Sequence, residues 1–85
     1  MNLIINHSSM EPIYEQLSRQ FRSLISIGQM KEGEPLPSVR ALAKELRISA
    51  LTVKKAYDDL EQAGFVRTVH GKGSFVSSAC QELFL

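Results

Sequence analysis

From residue 13 onward apolar side chains recur at steps of three and four: Ile13, Leu17, Phe21, Leu24 and Ile25, with Arg19, Arg22 and Ser26 opposite. That period predicts an amphipathic helix over residues 11–28. Pro12 is tolerated in its first turn, where a missing N–H has no intrahelical partner, and Gly28 marks its stop. "KEGEPLPS", residues 31–38, cannot continue a helix, because it holds two prolines and a glycine. Ser38 is a fitting N-cap for a short second helix with Val39, Leu42, Ala43 and Leu46 as its stripe. Arg47 and Ile48 form a break, and Ser49 caps a third helix. Val53, Ala56, Tyr57, Leu60 and Ala63 mark the inner face of that helix, and Gly64 ends it.

Past Gly64 the period shortens. "FVRTV" and "SFV" are rich in β-branched and aromatic residues and are separated by the four residues "HGKG", which predicts a β-hairpin. The fold class is therefore α+β, mainly α: three helices followed by a C-terminal hairpin. Residues 1–10 are an N-terminal extension, residues 11–76 the folded domain, and residues 77–85 a tail. That tail ends in Leu83, Phe84 and Leu85 with nothing left to pack them. It either folds back or begins a further helix for dimerisation or effector binding, and the second is the expectation.

Composition narrows the class without naming a partner. An 85-residue chain with 44% hydrophobic and 22% charged residues is expected to be one small soluble domain with a limited core. No apolar run approaches the ~18 residues of a membrane span, and the start "MNLIINHSS" lacks the basic region of a secretory signal. A single cysteine, Cys80, excludes an internal disulfide and suits a cytoplasmic location. The net charge of +1 is uninformative, but its distribution is not. Residues 38–57 carry Arg40, Lys44, Arg47, Lys54 and Lys55 against Glu45 alone, whereas acids dominate on either side. Such a stretch is either a footprint for a polyanion or a solvated face.

The short link between the second and third helices favours the first. It forces a sharp crossing at a small residue, Ala43, and Leu42, Leu46, Ile48, Val53 and Ala56 occupy the apolar positions of a helix-turn-helix. Arg47 stands where glycine usually permits a left-handed turn, so a turn that is either slightly strained or differently shaped is expected. In such a unit the third helix, about residues 49–63, presents its first turns to the DNA major groove. Ser49 and Thr52 can bind phosphate near the helix N-terminus, Lys54 can reach phosphate or guanine, and Ala50 and Leu51 can meet a thymine methyl. Lys55 also faces outward.

The stretch "LPSVRALAKELRISALTVKKAYDDLEQAGFVRTVHGKGSFV" closely resembles the winged helix-turn-helix domain of GntR-family bacterial transcription regulators. "PIYEQLSRQFRSLISIGQMKEGEPLPS" extends the likeness over residues 11–76, and "PIYEQL" with "KKAYDDLE" is most similar to the YtrA-like subgroup. The resemblance implies a sequence-specific regulator, a repressor, acting as a homodimer on a palindromic DNA operator. It implies DNA contacts from Ser38 and Arg40, from Ser49, Ala50, Leu51, Thr52, Lys54 and Lys55, and from His70, Gly71, Lys72 and Gly73 in a wing over residues 65–76. Members commonly carry a larger polar or basic residue at the position of Ala50. They also carry a C-terminal effector or dimerisation domain, so any effector is expected to bind outside these residues.

Two other classes compete. A winged helix used for protein contact alone needs no basic residues on both the third helix and the wing. A nucleotide-binding loop built on "GKGS" needs Ser or Thr after its lysine and a following helix, whereas Lys72 precedes Gly73 and a strand-like "SFV". His7 and His70 lie far apart, with no ligand cluster at metal spacing. No enzyme, metal or cofactor is expected.

Overall fold

Five elements follow one another in the computed structural model: helices α1 (Ile13–Ser26), α2 (Val39–Leu46) and α3 (Ala50–Gln62), then strands β1 (Val66–Val69) and β2 (Gly73–Val76). The structure describes residues 3–77; Cys80 and the expected tail helix lie outside the described residues. Helix α3 is the centre of the assembly, packing against α1, α2 and β1. This is the winged helix-turn-helix architecture, α+β and mainly helical.

The helical stripes become the core. Leu17, Phe21 and Ile25 of α1 meet Leu42 and Ala43 of α2 and Val53, Ala56, Tyr57 and Leu60 of α3, with Val66 and Val76 closing the hairpin end. Ile13 and Leu24 are only half-buried, and Ala63, expected on the inner face of α3, is exposed. Ala63 is the C-cap residue of α3, where the chain has begun to leave the helix. Helix α1 is also shorter than its periodicity suggests. Pro12, at φ −55° and ψ 146°, precedes the first turn, and its carbonyl accepts the first helical bonds from the Glu15 and Gln16 amides at 3.0 and 3.1 Å.

All three helices end in the same way. The Gly28 amide donates to Ile25 and the Gln29 amide to Leu24; Arg47 donates to Lys44 and Ile48 to Ala43; Gly64 donates to Glu61 and Phe65 to Leu60. These paired bonds are a Schellman motif, which satisfies the last carbonyls and needs a left-handed residue. Gly28 and Gly64 supply it with φ of 82° and 86°, whereas α2 uses Arg47 at φ 58° and ψ 46°. Of the two turns expected there, the strained one is therefore present in the backbone.

The hairpin is antiparallel, with Val66 opposite Val76 and Val69 opposite Gly73. Three residues, His70–Lys72, close it, rather than the four expected, because Gly73 is already the first residue of β2. Sequence periodicity does not reveal a third segment. Leu36 donates to Ser74, Gly33 to Val76, and Val76 to Glu34, each at 2.9 Å, so residues 33–36 run antiparallel along β2. Pro35 pairs with Phe75 at a position whose N–H would point out of the sheet, so proline costs no ladder bond at this edge.

Two polar side chains are buried in α1, and each has a task. Ser18 donates to the Asp59 carboxylate of α3 at 2.6 Å. Gln16 grips the N-terminal extension: its Oε1 accepts from the Asn6 amide, and its Nε2 donates to the Asn6 and Glu11 carbonyls. Gln20 does the same for both backbone groups of Ile4. Residues 3–6 thus lie along α1, and Leu3 and Ile5 pack on the core.

Candidate nucleic-acid interface

Each helix of the helix-turn-helix begins at a serine that closes its own first turn. Ser38 Oγ accepts from the Ala41 amide at 3.1 Å, and Ser49 Oγ accepts from the Thr52 amide at 3.1 Å. A serine does this because its short side chain reaches back to an amide that has no intrahelical carbonyl. Ser49 Oγ and Thr52 Oγ1 also share a hydrogen bond at 2.8 Å, so one of the two hydroxyls spends its hydrogen on the other and one O–H remains free to donate. Arg40, the second residue of α2, is exposed.

The start of α3 is strongly asymmetric. Val53, Ala56 and Tyr57 are buried on one side, while Ala50, Leu51, Lys54 and Lys55 are exposed on the other, and Thr52 is half-buried. Leu51 is 79% exposed, which is unusual for a large apolar side chain in a helix with a formed core. Lys54 pairs with Asp58 one turn along at 3.1 Å. Both groups are solvated, so the pair is weak and leaves the ammonium available to a phosphate. Lys55 turns elsewhere: its Nζ lies 4.2 Å from the centre of the Tyr14 ring on α1, a cation–π contact. The Tyr14 hydroxyl donates to Glu15, and this bond to a carboxylate holds the phenol above its usual range. Tyr14 is thus a neighbour of the interface that sequence spacing could not reveal, since nothing local links it to Lys55. Pro12, Ile13, Tyr14, Leu51, Thr52 and Lys55 line an open groove of about 540 Å³.

The hairpin tip forms the second part. His70, Gly71, Lys72 and Gly73 are all exposed. The Lys72 amide closes the turn on the Val69 carbonyl at 2.9 Å, with Gly71 at φ 81° and Gly73 at φ 118°. Both glycines take conformations that side-chain-bearing residues rarely adopt. A strand, not a helix, begins at Gly73, so "GKGS" belongs to a hairpin rather than a nucleotide-binding loop. The fold brings this tip to the start of α2: Lys72, Gly73 and Ser74 share a cleft of about 220 Å³ with Leu36, Pro37, Ser38, Val39 and Tyr57. Tyr57 forms part of its floor, donating to the Pro37 carbonyl at 2.7 Å, and burial pushes its phenol well above the usual range.

Among the described residues no three His, Cys, Asp or Glu side chains gather where they could hold a metal ion. No helix among them is long and apolar enough to cross a membrane.

The same combination of elements recurs in known proteins. The transcriptional repressor YtrA of Bacillus subtilis is 44% identical over 73 residues, a match covering 86% of this chain and 56% of that repressor. The chain therefore spans about half the length of that relative. The structure of YtrA from Sulfolobus acidocaldarius, a GntR-family transcription factor, superposes with a TM-score of 0.84 at 36% identity, covering 96% of this chain and 90% of that one. The DNA-binding domain of AraR in complex with operator ORX1 superposes with a TM-score of 0.80 at 27% identity, covering 91% and 99% of the two chains. The profile of bacterial regulatory proteins of the gntR family matches residues 13–76, most of the winged helix just described, and the chain belongs to that family.

Proposed function

We propose that this chain is the sequence-specific DNA-binding module of a transcriptional repressor, working in the cytoplasm as a homodimer on a palindromic duplex. The observation that carries the reading is the outer side of the first two turns of α3, where Ala50, Leu51 and Lys54 stay exposed while the opposite side is locked into the core. A helix held this way can enter a major groove without rearranging the domain. Around it, the amide-rich starts of α2 and α3 favour phosphate, Arg40 adds a charge, and His70–Gly73 lets backbone and Lys72 approach the neighbouring strand or minor groove. AraR, whose fold this chain shares, was solved on an operator, which supports the same docking here. Residues 13–76 thus act as the reading head, without chemistry of their own, and any effector binds elsewhere.

The test is binding to duplexes selected from a random library, followed by titration with salt. Affinity for the selected duplex should fall steeply with salt, because each phosphate contact releases counterions. Equal affinity for a scrambled duplex at moderate salt would overturn the specific reading. Absence of any binding at low salt would favour a protein-contact module instead.

A further inference from the structure

The first two turns of α3 hold few polar groups free to read a base, and none that offers two hydrogen bonds in a fixed fork. Residues 50–57 read Ala-Leu-Thr-Val-Lys-Lys-Ala-Tyr, without Arg, Asn, Gln or an acid. The Ser49 and Thr52 hydroxyls bond to each other and to the cap, which leaves a single O–H between them free to donate. Lys55 is turned onto Tyr14, and Tyr57 is buried with its hydroxyl on Pro37. Among these residues that leaves Lys54, an adaptable single charge, one hydroxyl hydrogen of the Ser49–Thr52 pair, and an apolar pair, Ala50 and Leu51. Leu51 is 79% exposed at the edge of the groove beside α1, whereas every other large apolar residue of α3 lies in the core.

In the major groove the one apolar group a base pair offers is the thymine 5-methyl. We propose that Leu51, with Ala50 beside it, is the specificity-determining element of this chain, selecting its duplex by packing against thymine methyl groups rather than by bidentate hydrogen bonds. The proposal rests on the major-groove reading of α3 given above. A small Ala50 lets the helix approach closely, and Leu51 spans the remaining gap. Water is displaced from two apolar surfaces at once, which is favourable in both partners. Lys54 then adds affinity for phosphate or a guanine edge without demanding a particular neighbour.

The test replaces thymines of the selected duplex one at a time by uracil, which keeps every hydrogen-bonding group and removes only the methyl. At the position facing Leu51 the loss of a methyl should weaken binding about fourfold, the equivalent of one buried carbon. In Leu51→Ala the same replacement should have almost no effect, and since Leu51 is exposed this variant should keep its fold and melting temperature. Replacing cytosine by 5-methylcytosine in a duplex with cytosine at that position should restore part of the lost affinity. A thymine-to-uracil scan without effect at any position, in a chain that still prefers its selected duplex, overturns the methyl reading and leaves DNA recognition standing. Equal losses in wild type and Leu51→Ala also overturn it. Failure to select any duplex removes both.

Discussion

The Tyr57 hydroxyl of α3 donates to the Pro37 carbonyl at 2.7 Å, while its ring meets Phe21 of α1 edge-on at 5.7 Å. One side chain therefore ties α3 to α1 and to the residue just before the α2 cap. It also lies beneath the cleft shared by Ser38 and the wing tip.

Tyr57→Phe should keep the packing and lose the bond, costing about 1 kcal/mol in urea unfolding. The pH dependence has a definite sign. Burial raises the folded phenol above its unfolded value of about 10, so the fold favours the neutral form. The contribution of Tyr57 is thus whole below about pH 10 and is lost as pH climbs above it. The stability difference between wild type and Tyr57→Phe should be flat up to that pH and then shrink, which parallel unfolding curves would check.

Arg47 holds a left-handed conformation at φ 58° in a motif that Gly28 and Gly64 fill elsewhere. Arg47→Gly should relieve ~1–2 kcal/mol of backbone strain, offset partly by the larger entropy of an unfolded glycine. The expected net gain is about 0.5–1 kcal/mol, visible as a rise of several degrees in Tm. A lower Tm would mean that the arginine side chain stabilises the turn by more than its backbone costs.

Ser18 is fully buried, and its bond to Asp59 joins α1 to α3. Ser18→Ala should cost about 1–3 kcal/mol, since a bond to a charged group is lost and the carboxylate loses a donor. Chemical denaturation at neutral pH reads this directly. Ser18→Val should cost more, because the added methyl must fit a closed core.

Arg40→Ala and Lys54→Ala should weaken duplex binding while leaving the fold intact, since both side chains are exposed. Loss of the Lys54–Asp58 pair should change stability by no more than about 0.5 kcal/mol. For each phosphate contact removed, the slope of log affinity against log salt should fall by about 0.9. Fluorescence anisotropy across a salt series measures both quantities. If both variants bind like wild type, α2 and α3 do not face the duplex as proposed.

Much of this domain was legible residue by residue, because the decisive signals act over a few positions. The stripe Leu17, Phe21, Ile25, the caps Ser38 and Ser49, the glycines 28 and 64, and the alternation around residues 65–76 each specify local geometry through sterics and nearby hydrogen bonds. At Arg47 the sequence left a strained or a differently shaped turn open, and the left-handed backbone at φ 58° decides for the first. The spacing from Leu42 to Ala56 placed the exposed start of α3.

Tertiary structure decided what depends on partners distant in the chain. Residues 33–36 carry no strand periodicity, and they pair with β2 because folding brings an unfilled edge to them. Gln16 and Ser18 are polar and buried because Asn6 and Asp59 meet them there. Lys55 is drawn to Tyr14, and Lys72 comes to rest beside Ser38. Periodicity reports which side of an element is apolar, but a hydrogen bond or ring contact between distant residues exists only once packing has set their distance.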